Sequence, residues 1–474
     1  MRAVSDRPEV RVTAGKLRGT RESGVAVFRG IPFAEPPVGA LRFAAPRPAG
    51  RWDGVREAVE FGPPPPQAGA FGMDAVSGGD DWLTVNVWSP EPGPDAGLPV
   101  MVWIQGGAYG IGMAGLPEYD GATLARDGVV VVTFNYRVGI EGFAQLEGAP
   151  ANRGLLDQVA ALTWVRDNVR AFGGDPDRVT VFGQSAGGGS VASLLVMPRA
   201  AGLFRRAIAQ SVPGTFFTPE LGADMASAFA AEYGLTATAS QLSTVDPCEL
   251  TAAGDVVTAK IGQWTENWGL AAHRSIPFAP VVDGDVLPTT PWETARDVEI
   301  IAGHTRDEQR LFSLMGDEAS APLEVLAPDA RRYREGFPGA SEEELRELVN
   351  SDWLFRMPTL HLAQTGPTYL YELTWSGLLG ACHGLDVPLV FGNLQSGQPG
   401  MLIEDVSAAE AVSADMRAAW IAFATHGDPG WPAYEGEKRL TKIFDTPSTV
   451  ATYPEETSRK LWQDHPFAPL TLRS

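Results

Sequence analysis

The chain has 474 residues, of which 44% are hydrophobic and 20% charged, a composition typical of folded globular proteins rather than disordered chains. Its formal net charge of −21 argues against nucleic acid or an anionic membrane as a partner, because both require a basic surface. No apolar run is long enough to span a membrane, and the polar N-terminus predicts no secretory signal. With only two distant cysteines, Cys248 and Cys382, we expect no disulfide framework and a cytoplasmic protein.

The histidines and cysteines show no pair with the spacing of metal ligands, so neither a metal nor another cofactor is expected. No pattern in the sequence reports the oligomeric state, for which we expect a monomer or a weak homo-oligomer.

The first half of the chain alternates β-like runs with glycine-rich and proline-rich loops. Short β-branched runs of this kind are typical of strands buried on both faces. A helix is predicted further on, because leucine and valine recur there on one helical face. The predictions are short β-like pieces over 11–43, a loop over 62–80, strands over 81–88, 100–104 and 129–134, and a helix over 154–172.

The second half is predicted to be more helical, with strands only at intervals. The predicted elements are strands over 300–303 and 369–373 and helices over 341–349 and 408–425. The alternation of strands and helices predicts an α/β fold in which a mostly parallel sheet carries helices on both faces. Because no repeat or linker divides the sequence, a single domain over 1–474 is expected.

A β-branched run leads into Gly183-Gln184-Ser185-Ala186-Gly187, and a helix of small residues is predicted over 186–196. This Gly-x-Ser-x-Gly pattern predicts a nucleophile elbow, a strained turn that exposes a serine hydroxyl between a strand and a helix. Because 53 residues are glycine, the pattern is expected by chance about 0.3 times in such a chain. Alone, it also fits a glycine-rich turn with an incidental serine.

A nucleophilic serine needs a histidine base, and in α/β-hydrolases that histidine follows both the serine and the acid in the chain. Four histidines lie far enough downstream: His361, His383, His426 and His465. His383 is the best placed, because it follows a predicted strand and has small neighbours that allow close approach to another loop. His426 fits a cation at a helix C-terminus.

The acid is expected after the strand over 300–303. Asp307 and Glu308 both fit there, and chemistry alone does not choose between them. A solvated acidic turn also explains the pair. Oxyanion donors are expected after the strand over 100–104. There Gly106 and Gly107 leave backbone N–H groups unobstructed, and with the N–H of Ala186 they predict a hole of three donors.

Six segments then occur in an order that resembles one known family. They are FRGIPFAEPPVGALRF over 28–43, the segments over 81–90, 135–137 and 154–188, FAPVVDGDVLP over 278–288 and HGLDVPLVFG over 383–392. The chain resembles the type-B carboxylesterases, the α/β-hydrolase branch that includes bacterial para-nitrobenzyl esterases and the cholinesterases. The resemblance covers nearly the whole chain and implies an α/β-hydrolase fold with large helical insertions.

The resemblance also implies a role for individual residues. It implies Ser185 as nucleophile, His383 as base and Glu308, rather than its neighbour, as the acid. The implied oxyanion donors are again Gly106, Gly107 and Ala186. Ser211 matches a family serine that supports the triad from behind.

Four departures from the family pattern bear on specificity. Gln105 stands where histidine is usual, and Gln184 replaces a glutamate beside the nucleophile, which removes a negative charge. Trp82 occupies the place of a disulfide cysteine, so the loop over 62–80 is not cross-linked. That loop also lacks the tryptophan with which cholinesterases bind quaternary ammonium, and with Gln184 this disfavours choline esters.

The sequence therefore predicts a serine carboxylesterase that hydrolyses small to medium carboxylic esters through an acyl-serine intermediate. The same chemistry on an amide, carbamate, thioester or lactone is an alternative. A non-catalytic binding protein is disfavoured because all three triad candidates are present, and a lipase because 62–80 is too polar for an amphipathic lid. Phe71, Met73 and Tyr109 are candidate pocket residues, although ordinary packing explains each equally well.

Overall fold

A computed structural model of the protein describes residues 6–69, 79–314 and 322–473. The strands within these ranges are β1 (Glu9–Arg11), β2 (Lys16–Arg18), β3 (Thr20–Glu22), β4 (Val25–Pro32), β5 (Val55–Glu57), β6 (Thr84–Ser89), β7 (Leu98–Ile104), β8 (Val130–Phe134), β9 (Gly174–Gln184), β10 (Arg206–Gln210), β11 (Glu299–Thr305), β12 (Thr368–Leu373), β13 (Leu440–Phe444) and β14 (Thr449–Thr452).

Helices cover both faces of the sheet and fill the long connections between strands. They are α1 (Ala122–Arg126), α2 (Gly139–Phe143), α3 (Arg153–Asn168), α4 (Ala186–Val196), α5 (Pro219–Ala231), α6 (Ala239–Leu242), α7 (Pro247–Ala259), α8 (Thr265–Trp268), α9 (Leu270–His273), α10 (Arg310–Leu314), α11 (Leu323–Leu326), α12 (Ala330–Gly336), α13 (Glu342–Ser351), α14 (Met357–Ala363), α15 (Asp386–Phe391), α16 (Gly397–Gly400), α17 (Val406–His426) and α18 (Glu456–Trp462).

The main sheet has the strand order β14-β13-β12-β11-β10-β9-β7-β8-β6-β4-β3 across the described part of the chain. The neighbours from β13 to β8 pair in parallel, and antiparallel strands complete both edges. Because parallel neighbours end at the same edge, the loops that follow β7, β9, β11 and β12 are brought together. The predicted nucleophile, base, acid and oxyanion donors come from these four loops, while Ser211 directly follows β10.

Alternate side chains of the central strands enter two different cores. Val100, Val102 and Ile104 of β7 pack with α3 and α4 on one face, because successive residues of a strand point to opposite faces. Met101 and Trp103 pack with α15 and α17 on the other face. The β-branched runs that predicted doubly buried strands therefore lie between two helical layers, as expected for a parallel sheet.

Two groups of helices lie outside these layers and build cores of their own. Helices α5, α7 and α9 bury one apolar cluster, while α11 to α14 bury another with α18. None of the helices in the described ranges is long and apolar enough to cross a membrane.

The predicted α/β architecture and most predicted elements are confirmed. Helix α4 has the predicted bounds, and Ser341 caps α13 in a reciprocal capping box with Glu344. The helix expected over 154–172 ends earlier, since α3 continues beyond Asn168 as a 3₁₀ turn. Cys382 is buried and Cys248 is partly buried, and the two are not joined to each other by a disulfide.

Candidate active site

The predicted elbow is a single-residue turn between a buried strand and a buried helix. Strand β9 ends at Gln184, α4 begins at Ala186, and Ser185 between them has φ 58° and ψ −128°. A positive φ strains the backbone of any residue that has a side chain, so the surrounding contacts must hold Ser185 in this conformation. The Ser185 N–H donates to the carbonyl of Gln210 at 3.0 Å, and its own carbonyl accepts from Gly189 N–H at 2.9 Å.

The glycines of the elbow permit contacts that any side chain would block. A Cβ on Gly187 would lie 2.0 Å from the carbonyl oxygen of Ile104, at the end of β7. A Cβ on Gly183 would lie 2.6 Å from the Gly187 carbonyl oxygen, and one on Gly188 would lie 2.4 Å from that of Gln210. The elbow is therefore held by direct backbone packing against the ends of the neighbouring strands.

His383 and Glu308 are brought into direct contact although they are 75 residues apart. His383 Nδ1 lies 2.5 Å from Glu308 Oε2, while Glu308 Oε1 accepts from the Ser211 hydroxyl at 2.7 Å and from Thr305 N–H at 2.9 Å. Burial alone would raise the pKa of Glu308, but the charge of His383 and the hydrogen bonds from His383 and Ser211 lower it below its usual value. Glu308 therefore carries a charge that can stabilise a protonated imidazole.

The imidazole ring also contacts the elbow. Gln184 Nε2 lies 3.1 Å from His383 Nε2 and 3.5 Å from Nδ1, so the amide nitrogen lies over the face of the ring and not in line with either lone pair. In this arrangement no hydrogen bond joins the Ser185 hydroxyl to His383, although Ser185 directly follows Gln184 in the chain. Such contacts are often formed only when substrate is bound.

Asp307 points away from the imidazole and connects two loops. Its N–H donates to the Ala381 carbonyl at 2.8 Å, and its carboxylate accepts from the Ala381 N–H at 2.9 Å. Arg306 and Arg310 form ion pairs with the same carboxylate. Asp307 thus ties the loop that carries Glu308 to the loop that carries His383.

A buried carboxylate and two aromatic rings that the sequence analysis did not identify surround His383. Phe355 stacks on the imidazole with ring centroids 4.3 Å apart, and Phe312 lies at 5.0 Å. Asp386 accepts from Gln210 at 2.8 Å, and burial raises its pKa to about 6. The position of Asp386 three residues after His383, at the start of α15, was the sequence signal that could have identified it.

The loop after β7 offers several unbonded backbone donors next to the serine. Within the described part of the chain, the N–H groups of Gly106 and Gly107 have no acceptor, and neither does that of Ala108. A Cβ on Gly106 would lie 3.1 Å from Ser185 Cβ, so this loop packs directly against Ser185. Ala108 was not among the predicted donors, because the glycine pair alone forms a recognisable pattern in the sequence.

The remaining candidate residues are distributed as follows. Gln105 is fully buried, its carbonyl accepts from the Tyr136 hydroxyl at 2.7 Å, and its side-chain amide has no partner among the described residues. Tyr109 is buried against Phe143, which makes it a core residue. Phe71 and Met73 lie outside the described residues.

The three alternative histidines lie in other surroundings. His361 and His465 both pack against Phe467, and His426 ends α17 beside Gly427, as expected of a residue at a helix C-terminus. Across the described ranges, no group of three or more histidine, cysteine or acidic side chains is arranged to hold a metal ion.

Comparison with known proteins finds clear relatives. Residues 6–333 match the model of the carboxylesterase family. The chain is 37% identical to the para-nitrobenzyl esterase of Bacillus subtilis (strain 168), over 94% of this chain and 96% of that protein. It is 34% identical to the fumonisin B1 esterase of Sphingopyxis macrogoltabida, over 91% and 86%. A solved structure of a PNB esterase superimposes with a TM-score of 0.83 at 37% identity, covering 95% and 98%, and shows the α/β-hydrolase fold.

Proposed function

The chain belongs to the carboxylesterase family and is a carboxylic ester hydrolase, and we propose that it works as a serine esterase through an acyl-serine intermediate on Ser185. The observation that carries this proposal is the orientation of His383. Its Nδ1 contacts the buried Glu308 carboxylate at 2.5 Å, and its Nε2 lies 3.1 Å from the side chain of the residue directly before the serine. This is the arrangement that a general base beside a nucleophile requires.

The first half-reaction forms the acyl-enzyme. The Ser185 oxygen attacks the ester carbonyl carbon while its proton passes to His383 Nε2. Glu308 stabilises the resulting imidazolium, and backbone N–H groups stabilise the negative oxygen of the tetrahedral intermediate. The proposed donors are those of Gly106, Gly107 and Ala186, and Ala108 is a further candidate. The C–O bond to the alcohol then breaks, and the imidazolium returns its proton to the leaving alcohol.

Water completes the second half-reaction by the same route. His383 accepts a proton from water, the hydroxide adds to the acyl carbon, and Ser185 leaves with the proton returned to its oxygen. His383 returns each proton that it accepts, so the two half-reactions leave the enzyme unchanged. The named substrates of the relatives, para-nitrobenzyl esters and fumonisin B1, support small to medium carboxylic esters as the substrate class.

Replacing the nucleophile tests the mechanism. We expect Ser185→Ala to abolish hydrolysis of p-nitrophenyl acetate and butyrate, and a fluorophosphonate probe to label the unmodified protein alone. Ser227→Ala is the matched control, since Ser227 is exposed on α5 and its hydroxyl donates only to the carbonyl of Ala223. A folded Ser185→Ala protein that kept full turnover would show that another residue is acylated.

A further inference from the structure

A cavity of about 230 Å³ lies beside the loop that carries the proposed oxyanion donors. Gly107 and Ala108 line one side of it, and they directly follow Gly106, which touches Ser185. Ile140 and Phe278 form apolar parts of the wall. The cavity therefore begins at Gly107, next to the glycine that contacts Ser185. A substituent of an ester bound at Ser185 can reach it.

Helix α7 forms the remaining wall with one of its faces. The helix contributes Thr251, Gly254, Asp255 and Thr258, which recur at i, i+3, i+4 and i+7 and so share a face. A Cβ on Gly254 would come within 3.3 Å of the Phe278 ring, so this glycine lets the ring approach the helix. The face directed at the cavity is thus built of small residues and one carboxylate.

Asp255 is that carboxylate, and its charge is not balanced by the protein. It forms no ion pair or hydrogen bond with any described residue. The described residues around the cavity include no lysine, arginine or histidine. The Asp255 side chain is exposed, and partial desolvation raises the pKa of its carboxyl. A cationic group placed in the cavity would supply the missing partner.

We propose that this cavity is a substrate subsite for an ester substituent that ends in an alkylammonium group, with Asp255 as the specificity-determining residue. The proposal rests on the proposed esterase function. Apolar walls accept the methylene stem of such a group, and the carboxylate at the exposed side of the cavity binds its charged end. A volume of about 230 Å³ is below the range of roughly 300–1,000 Å³ for whole-ligand pockets, so the site holds a substituent rather than a complete substrate.

Two pairs of isosteric esters test the proposal. In the first pair, p-nitrophenyl 6-aminohexanoate is compared with p-nitrophenyl heptanoate, so that an ammonium replaces a terminal methyl group on the acyl side. In the second, 6-aminohexyl acetate and heptyl acetate make the same comparison on the alcohol side. We expect kcat/KM to favour the ammonium ester in one pair, and Asp255→Asn to reduce that preference about fivefold, as for a partly exposed ion pair. Added salt should weaken the preference of the unmodified protein.

Glu249→Gln is the matched control. It removes the same charge from the first turn of the same helix, at an exposed position outside the cavity. The preference ratio should stay at the unmodified value in this variant. An equal change of this ratio in both variants would indicate a general attraction to the acidic protein and would overturn the subsite. A preference that Asp255→Asn leaves unchanged in both pairs of esters would also overturn it. Hydrolysis of the neutral heptanoate reports the proposed function separately, so the two proposals can fail independently.

Discussion

The elbow and the histidine side of the site are held in place by different kinds of contact. At the elbow, backbone atoms pack directly against backbone atoms, with the Gly187 α-carbon facing the Ile104 carbonyl. On the histidine side, polar side chains form the contacts: Glu308 binds His383 and Ser211, and Asp307 joins two loops. The elbow is thus specified by the absence of side chains, and the histidine side by their presence.

This difference predicts how each region responds to substitution. Added volume should damage the elbow, because nearby backbone cannot move without displacing a whole strand. The histidine side should tolerate changes of shape better than changes of charge, because its proposed function is to stabilise a positive imidazolium.

The largest expected effect is the loss of charge at Glu308. We expect Glu308→Gln to lower kcat by about 10³- to 10⁴-fold, because a neutral amide neither stabilises the imidazolium nor fixes its tautomer. Asp307→Asn is the comparison, since its side-chain oxygen can still accept from Ala381 N–H, and we expect less than about a tenfold loss. Steady-state kinetics with p-nitrophenyl butyrate measure both variants. If only Asp307→Asn is inactive, the acid has been assigned to the wrong residue.

A smaller but still large effect is expected from one methyl group at the elbow. In Gly187→Ala the new Cβ would lie 2.0 Å from the Ile104 carbonyl oxygen, so the elbow and β7 must separate. We expect a loss of about 1–3 kcal/mol of stability and about 100-fold in kcat, because a displacement near 1 Å misplaces the nucleophile. Thermal unfolding and p-nitrophenyl butyrate turnover measure the two losses.

Gly339→Ala is the control for the elbow variant, since an added Cβ there has no atom within 4 Å. It should leave both stability and turnover close to those of the unmodified protein. A Gly187→Ala protein with normal activity would mean that the backbone contact is not what positions Ser185.

The same difference explains which parts of the site could be predicted from the sequence. The elbow is local: its strand, its glycines and its helix are consecutive, and α4 has the predicted bounds. Most central strands were also predictable, because burial on both faces leaves long β-branched runs. Strand β10 was not predicted, since its sequence RAIAQ has a single β-branched residue. Strands β13 and β14 were not predicted, since they lie near the edge of the sheet and β14 is exposed along its whole length.

Contacts between distant side chains were the part that local sequence could not provide. Residue chemistry left Asp307 and Glu308 equivalent, and only the structure shows that one faces His383 while the other binds Ala381. The contact of Gln184 with the imidazole was equally hidden, because residues 184 and 383 meet only after the sheet brings their loops together. Asp386 was missed for the same reason.

Asp386 provides a second test of the histidine side, and its effect is expected in stability. Its pKa of about 6 lies above the ordinary value of 3.8, mainly because of burial, while Gln210 and Tyr371 donate to its carboxylate. Between these two pH values the folded state binds more protons than the unfolded state, so the free energy of unfolding falls as pH rises. The difference in pKa corresponds to a loss of about 3 kcal/mol in the free energy of unfolding. This loss is absent below pH 3.8 and complete above pH 6.

We therefore expect Asp386→Asn to gain stability relative to the unmodified protein as pH rises, because the amide has no proton to lose. Urea unfolding at several pH values from 4.5 to 8 measures this difference, which should increase by up to about 3 kcal/mol and level off above pH 6. The slope separates charge from packing, since a packing defect would shift the variant's stability by the same amount at every pH. A difference that does not change with pH would show that Asp386 is ionised in the folded protein throughout, and that the histidine side holds two charged carboxylates rather than one.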